Sequence, residues 1–242
     1  MLFARVIKRG TLFAVTALPL ALGLSGCFDL SQSVAIGRTG AGQYKVTVSA
    51  GGLVGRAMRD NHDAITIGRG HAKNAHVVTR TQAQDGKVTQ TSTIAFKSLS
   101  DLHLGDDLMS LRVKRRDFLG LGPAHVVFRR TVLVGNVRAA QAREHDMGND
   151  LGHAVLQTMF GDHQYVFAVT VPGSIEKIAP LRIGGHTITP KVTGDFYHGR
   201  TITWRMPLAD MLSAKMLVFE VEFSAFGTFS DAQSVPDDAA VL

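Results

Sequence analysis

Apolar and polar residues alternate at a period of two along most of this chain, the spacing that puts side chains on opposite faces of a strand. Ser33–Arg38 and Gln43–Ala50 alternate around Thr39-Gly40-Ala41-Gly42 and predict a hairpin. Ala75–Gln84 and Lys87–Lys97 predict a second, closed by Asp85-Gly86, a favoured two-residue hairpin turn. Leu111–Phe118 alternates again, Gly120–Pro123 breaks it, and Ala124–Val134 (AHVVFRRTVLV) is the most strand-like stretch of all. Gln164–Val171, stopped by Pro172-Gly173, Thr201–Met206 and Lys215–Phe226 complete the long strands. Residues 174–200 read as turns with one short strand at His186–Thr189.

The helical period is rarer. Residues 52–64 place Leu53, Val54, Ala57 and Met58 on one side of a short helix. Residues 136–160 lack proline and predict a longer one, whose better half, Asp150–Phe160, sets Leu151, Val155, Leu156 and Met159 on a common face. Pro207–Ala214 has room for one helical turn. The expected fold is therefore α+β, a mostly antiparallel sheet with one or two helices packed on it. The expected domain runs over residues 27–226, and the small, polar stretch 227–242 reads as a disordered tail.

The first 26 residues depart from this pattern. Arg5, Lys8 and Arg9 make a cationic start, residues 11–24 (TLFAVTALPLALGL) are uncharged, and Leu24-Ser25-Gly26-Cys27 follows. The apolar run is too short for a bilayer span, which takes about 20 residues, and suits a signal peptide. The last four residues resemble a lipobox, in which small residues admit a peptidase and the thiol takes a diacylglycerol. Cys27 is the only cysteine. The expectation is a lipoprotein cleaved before Cys27 and acylated there (diacylglycerol plus an amide-linked chain such as palmitate); two or more chains hold a protein stably on a membrane. The formal charge of +6 shrinks with the leader: without Arg5, Lys8 and Arg9, 23 basic side chains face 20 acidic ones. That composition is not one for nucleic acid.

Candidate chemistry is sparse. No G-x-S-x-G elbow occurs, and the only thiol is used by the anchor, so no catalytic residue and no cofactor is assigned. Glu144, His145, Asp146, Asp150, His153, Asp162 and His163 crowd one segment, but their spacing fits no tight metal motif and a solvated helix face explains them. His125, heading the strongest strand, suits a partly buried pair with a carboxylate that no sequence feature names. Extended geometry puts Arg112, Lys114 and Arg116 on one strand face and Arg115 on the other; Arg129 and Arg130 interrupt the next strand, so pairing of the two would gather a cationic patch. Such a patch suits anionic headgroups, at about 1 kcal/mol per basic residue near the surface. Phe128, Phe167 and Trp204 are candidate apolar lining, and the same residues would build an ordinary core. The ligand-binding set expected from sequence is thus Arg112, Lys114, Arg116, Phe128, Arg130, Phe167 and Trp204.

One resemblance covers roughly residues 27–226. A lipobox leads straight into the hairpin SQSVAIGRTGAGQYKVTVSA; later come Val171-Pro172-Gly173-Ser174-Ile175, a glycine-bearing turn, Ile202-Thr203-Trp204, a short linker and a last apolar strand. This resembles the LppM-type bacterial lipoproteins. The resemblance implies a sheet-plus-helix domain on an acyl anchor, with binding of envelope lipids or glycolipids, and transfers no catalytic residue. Relatives often carry a hydrophobic C-terminal segment where this chain has an acidic, polar one. The functional expectation is a non-enzymatic envelope lipoprotein that binds a lipid, glycolipid or other amphiphile; the alternative is a structural lipoprotein that positions an envelope protein assembly. It faces the periplasm or exterior from the cell membrane, and Phe28 rather than an Asp directly after the cysteine, with Asp29 one place later, favours an outer membrane where one exists.

Overall fold

In the computed structural model, strict alternation becomes strand almost everywhere. The structure describes residues 28–60, 71–72, 77–104, 107–117, 119, 121–134, 160–195 and 197–234. A seven-stranded sheet contains β1 (Phe28–Ile36), β2 (Gly42–Ala50), β4 (Val77–Gln84), β5 (Lys87–Phe96), β9 (Gln164–Val171), β13 (Lys191–Asp195) and β14 (Gly199–Pro207), in the order β13-β14-β9-β1-β2-β5-β4. A five-stranded sheet contains β7 (Asp107–Arg116), β8 (Ala124–Leu133), β10 (Ser174–Ile178), β15 (Met216–Ala225) and β16 (Ala232–Gln233), in the order β10-β15-β8-β7-β16. Pairing is antiparallel except between β1 and β9, which run parallel with Leu30 opposite Tyr165. The Asp85-Gly86 turn has positive φ at both residues (51° and 76°), as a primed hairpin turn requires.

The two sheets pack face to face. Leu30, Val34 and Ile36 of β1, Tyr44, Val46 and Val48 of β2, and Phe167 and Val169 of β9 meet Phe128 of β8 and Phe219, Val221 and Phe223 of β15 in one core. Phe167, Trp204 and Phe219 form its aromatic centre, with ring centroids 4.6 to 5.8 Å apart. Such pairs add about 0.5–1.5 kcal/mol each beyond their buried area.

This corrects the expected α+β class: the molecule is nearly all-β. Its helices among the described residues are Gly52–Asp60, the single turn Leu208–Ser213 and a 3-10 turn at Leu99–Asp101. The physical reason is that each sheet covers the inner face of the other, so neither needs a helix layer to bury it. The helix expected over 136–160 lies outside the described residues apart from Phe160. Residues 174–200 hold four short strands where turns and one strand were expected, β11 (Leu181–Ile183) and β12 (His186–Ile188) pairing with each other; β3 (His71–Ala72) and β6 (Leu102–His103) form a further two-stranded pair.

The expected boundary at 226 is also corrected. Beyond it, Phe229 is buried against Phe223, β16 pairs with the edge of β7, and Ser234 is buried while exchanging bonds with Met109: its N–H donates to the Met109 carbonyl (2.7 Å) and its Oγ accepts from the Met109 N–H (2.6 Å). Residues 228–234 therefore belong to the domain.

Candidate functional site

The seven residues expected to bind ligand separate into three places. Phe128, Phe167 and Trp204 are fully buried between the sheets. They are core.

Arg130 is also inside, 0% exposed, because β8 alternates and its neighbours Phe128 and Val132 face inward with it. Its guanidinium lies 4.4 Å from the centroid of the Phe167 ring and donates to Asp107 Oδ2, Gln32 Oε1 and Tyr165 Oη (3.1 Å). Tyr165 in turn donates to Gln32 Oε1 at 2.8 Å. Burial alone would pull the Arg130 pKa down; the charge of Asp107, with Tyr165 and Tyr44, outweighs it and the group stays firmly cationic. Burial pushes the Tyr165 phenol up to about 12 and that of Tyr44 further, so both are neutral donors and acceptors at any ordinary pH. This is a buried polar brace between the two sheets, in which Arg130 Nε and the Tyr44 hydroxyl have no hydrogen-bond partner among the described residues, and it removes Arg130 from the expected cationic face.

Arg116 is displaced from that face by a different cause. A bulge between Val113 and Arg115 inserts one residue into β7 and reverses the alternation beyond it. Arg115 comes opposite His125, while Arg116 comes opposite buried Ala124 and donates to the carbonyls of Gly227 (2.8 Å) and Phe229 (3.1 Å). It holds the C-terminal stretch rather than facing solvent.

Arg112 and Lys114 do share the outer face of the five-stranded sheet. There Ser110, Arg112, Val113, Lys114, Val127, Arg129, Glu220 and Glu222 line an open groove of about 440 Å³. Lys114 Nζ lies 2.9 Å from Glu222 Oε2, and this bond holds the Glu222 carboxyl below the usual carboxylate range. Arg129 Nε stands 3.9 Å from Glu220 Oε2, a looser pair. Arg112 has no carboxylate partner among the described residues. The groove thus offers one uncompensated guanidinium, two cations already beside carboxylates, and a serine hydroxyl. That is a surface for a ligand carrying both negative charge and hydroxyls.

Sequence reasoning missed Glu220 and Glu222, although their i, i+2 spacing in KMLVFEVEFSAF puts both on one strand face. It also left the partner of His125 open. The structure supplies two: His125 Nδ1 meets Glu176 Oε1 at 2.7 Å and Nε2 meets Asp117 Oδ2 at 2.9 Å. Glu176 first, then Asp117, raise the imidazole pKa, and His125 holds the Asp117 carboxyl down. No sequence signal links Glu176 to His125, since they meet only through β10 and β15.

Of the carboxylate–histidine segment, Glu144, His145, Asp146, Asp150 and His153 lie outside the described residues, as does Cys27. His163 is bonded inward: its Nδ1 accepts from the Phe28 N–H (2.9 Å), and its carbonyl accepts from the Leu208 N–H (2.7 Å). Among the described residues no three His, Cys, Asp or Glu side chains are arranged to hold a metal ion.

No family model matches the chain, and no curated protein matches it. Among solved structures, the NMR structure of the folded domain of the Mycobacterium tuberculosis LppM protein is similar, with a TM-score of 0.38 at 10% sequence identity, over 85% of this chain and 95% of that one. The structural match is to the same family that the sequence resembles. A likeness of this size assigns no residue a role.

Proposed function

We propose that this protein is an envelope lipoprotein, anchored through acylated Cys27, whose folded domain binds the polar part of an anionic lipid or glycolipid in the groove on the five-stranded sheet. The anchor reading rests on the cationic start, the apolar run and Leu24-Ser25-Gly26-Cys27. The binding reading rests on one observation: Arg112 is exposed and without a carboxylate partner among the described residues, in a groove that also holds Lys114, Arg129 and Ser110. Anionic headgroups gain from such cations, and carboxylates beside them suit hydroxyls of a sugar or glycerol head, which donate to oxygen acceptors. The ligand's acyl part is placed outside the domain, because the groove lies on the outer face of the five-stranded sheet.

The test is a titration with short-chain phosphatidylglycerol below its micelle concentration, followed by backbone NMR shifts. Shifts centred on residues 110–114, 127–129 and 220–222 are expected. Removing two cations with Arg112→Ala and Arg129→Ala together removes about 2 kcal/mol, roughly a thirty-fold loss of affinity. Affinity unchanged in the double variant, or shifts located elsewhere, would count against the groove.

A further inference from the structure

The sandwich has two dissimilar ends. Phe28 opens β1 at one end, pinned there by its bond to His163. The nine residues of β1 carry the chain about 30 Å to the other. At that far end the β1–β2 turn, the β9–β10 turn, the β7–β8 turn and the exit from β15 come together: the Thr228 N–H donates to the Arg38 carbonyl, Gly173 packs on Ser224 and Ala225, and Ala225 pairs with Ala124.

Four large apolar or aromatic side chains project from this end, one of them Tyr197 of the β13–β14 turn, 83% exposed. Leu119 is 106% exposed, Leu121 88% and Phe226 60%. Leu119 also has φ of 55°, in the left-handed region that leucine disfavours. The base of its turn is firmly tied: the Asp117 N–H donates to the Pro123 carbonyl (3.3 Å), the Gly122 N–H to the Asp117 carbonyl (2.9 Å), and His125 clamps the Asp117 carboxylate. A hydrogen-bonded base therefore presents Leu119 and Leu121 to solvent.

Charge at this end is one-sided in what it leaves available. The carboxylates at this end are engaged, though not hidden: Asp117 and Glu176 pair with His125, Asp195 pairs with His198 in the β13–β14 turn, Asp231 accepts from the Val113 N–H, and Asp101 accepts from the N–H groups of Lys97 and Ser98. Arg38 and Lys97 are exposed and have no carboxylate partner among the described residues. Cations set behind separate apolar tips complement an anionic bilayer, whose headgroups meet the cations while the tips enter the acyl boundary. A protein partner would call for a continuous, well-packed patch, whereas these side chains are divided among the β7–β8 turn, which carries both leucines, the exit from β15, which carries Phe226, and the β13–β14 turn, which carries Tyr197.

We infer that this far end docks onto an anionic lipid bilayer, with Leu119 and Leu121 as the inserting tip. The inference does not depend on the groove. Because Phe28 lies at the opposite end, a domain tethered at Cys27 reaches a second bilayer with this surface and bridges the two.

The mature chain, residues 27–242, is coupled through Cys27, its only thiol, to a maleimide lipid in phosphatidylcholine vesicles. These are mixed with protein-free vesicles of phosphatidylcholine alone or with a quarter phosphatidylglycerol, and bridging is read by co-flotation. Bridging to the anionic vesicles only is expected, falling at least ten-fold in Leu119→Ser/Leu121→Ser, whose substitutions are fully exposed and leave the circular dichroism unchanged. The Arg112→Ala/Arg129→Ala variant should still bridge, which separates this surface from the groove. Absence of bridging by the wild type, equal bridging by the tip variant, or bridging that needs protein on both vesicle populations (a second copy as the occupant) would overturn it.

Discussion

At the scale of single residues, the decisive side chain is Arg130. A fully buried guanidinium is tolerated because Asp107, Gln32, Tyr165 and the Phe167 ring meet it from both sheets. Arg130→Ala strands the Asp107 carboxylate and leaves Gln32 and Tyr165 short of a donor. The expected cost is about 3–5 kcal/mol, against no more than about 0.5 kcal/mol for Arg112→Ala on the surface. Urea denaturation midpoints of the two variants check this, and equal midpoints would mean that the brace contributes nothing. The sequence showed an arginine inside an apolar strand but not its direction. Period two fixes which residues share a face with Arg130; it does not say that Phe128 and Val132, and hence Arg130, look inward until the second sheet is in place.

Among the elements, β16 shows how weak local signals gain strength by docking. Residues 228–234 have little alternation and a composition suited to a tail. They are held because the edge of β7 offers unpaired backbone groups, Phe229 fills a space beside Phe223, and Arg116 grips two carbonyls. Ending the chain at Gly227 removes a buried Phe, worth about 1.5–3 kcal/mol, and the Ser234 bonds to Met109, roughly 1 kcal/mol each. A lower melting temperature is expected; an unchanged one would show that the docked strand adds no stability. The bulge in β7 is of the same kind. Nothing in Leu111–Phe118 announces it, yet it decides that Arg115 rather than Arg116 joins the outer face. Exposed β13 was missed for a related reason: its five residues bury no side chain, so they carry no apolar pattern to detect.

At the scale of the whole molecule, the anchor reading predicts that Cys27→Ala abolishes labelling by radioactive palmitate and leaves an uncleaved precursor or a domain released from the membrane fraction. Labelling and partition unchanged by that substitution would end the lipoprotein reading. The sequence alone determined the long strands and the Asp85-Gly86 hairpin, and it alone carries the anchor reading, because each is set by neighbours along the chain: alternation, turn residues, or an uninterrupted apolar run. Only the tertiary structure decided that two sheets cover one another instead of one sheet being covered by helices, that Phe128, Phe167 and Trp204 are buried between them, and that Arg112, Lys114 and Arg129 meet Glu220 and Glu222 in a groove. Those outcomes depend on register and on which faces meet. Both are fixed by contacts between residues far apart in the chain, and no local pattern encodes them.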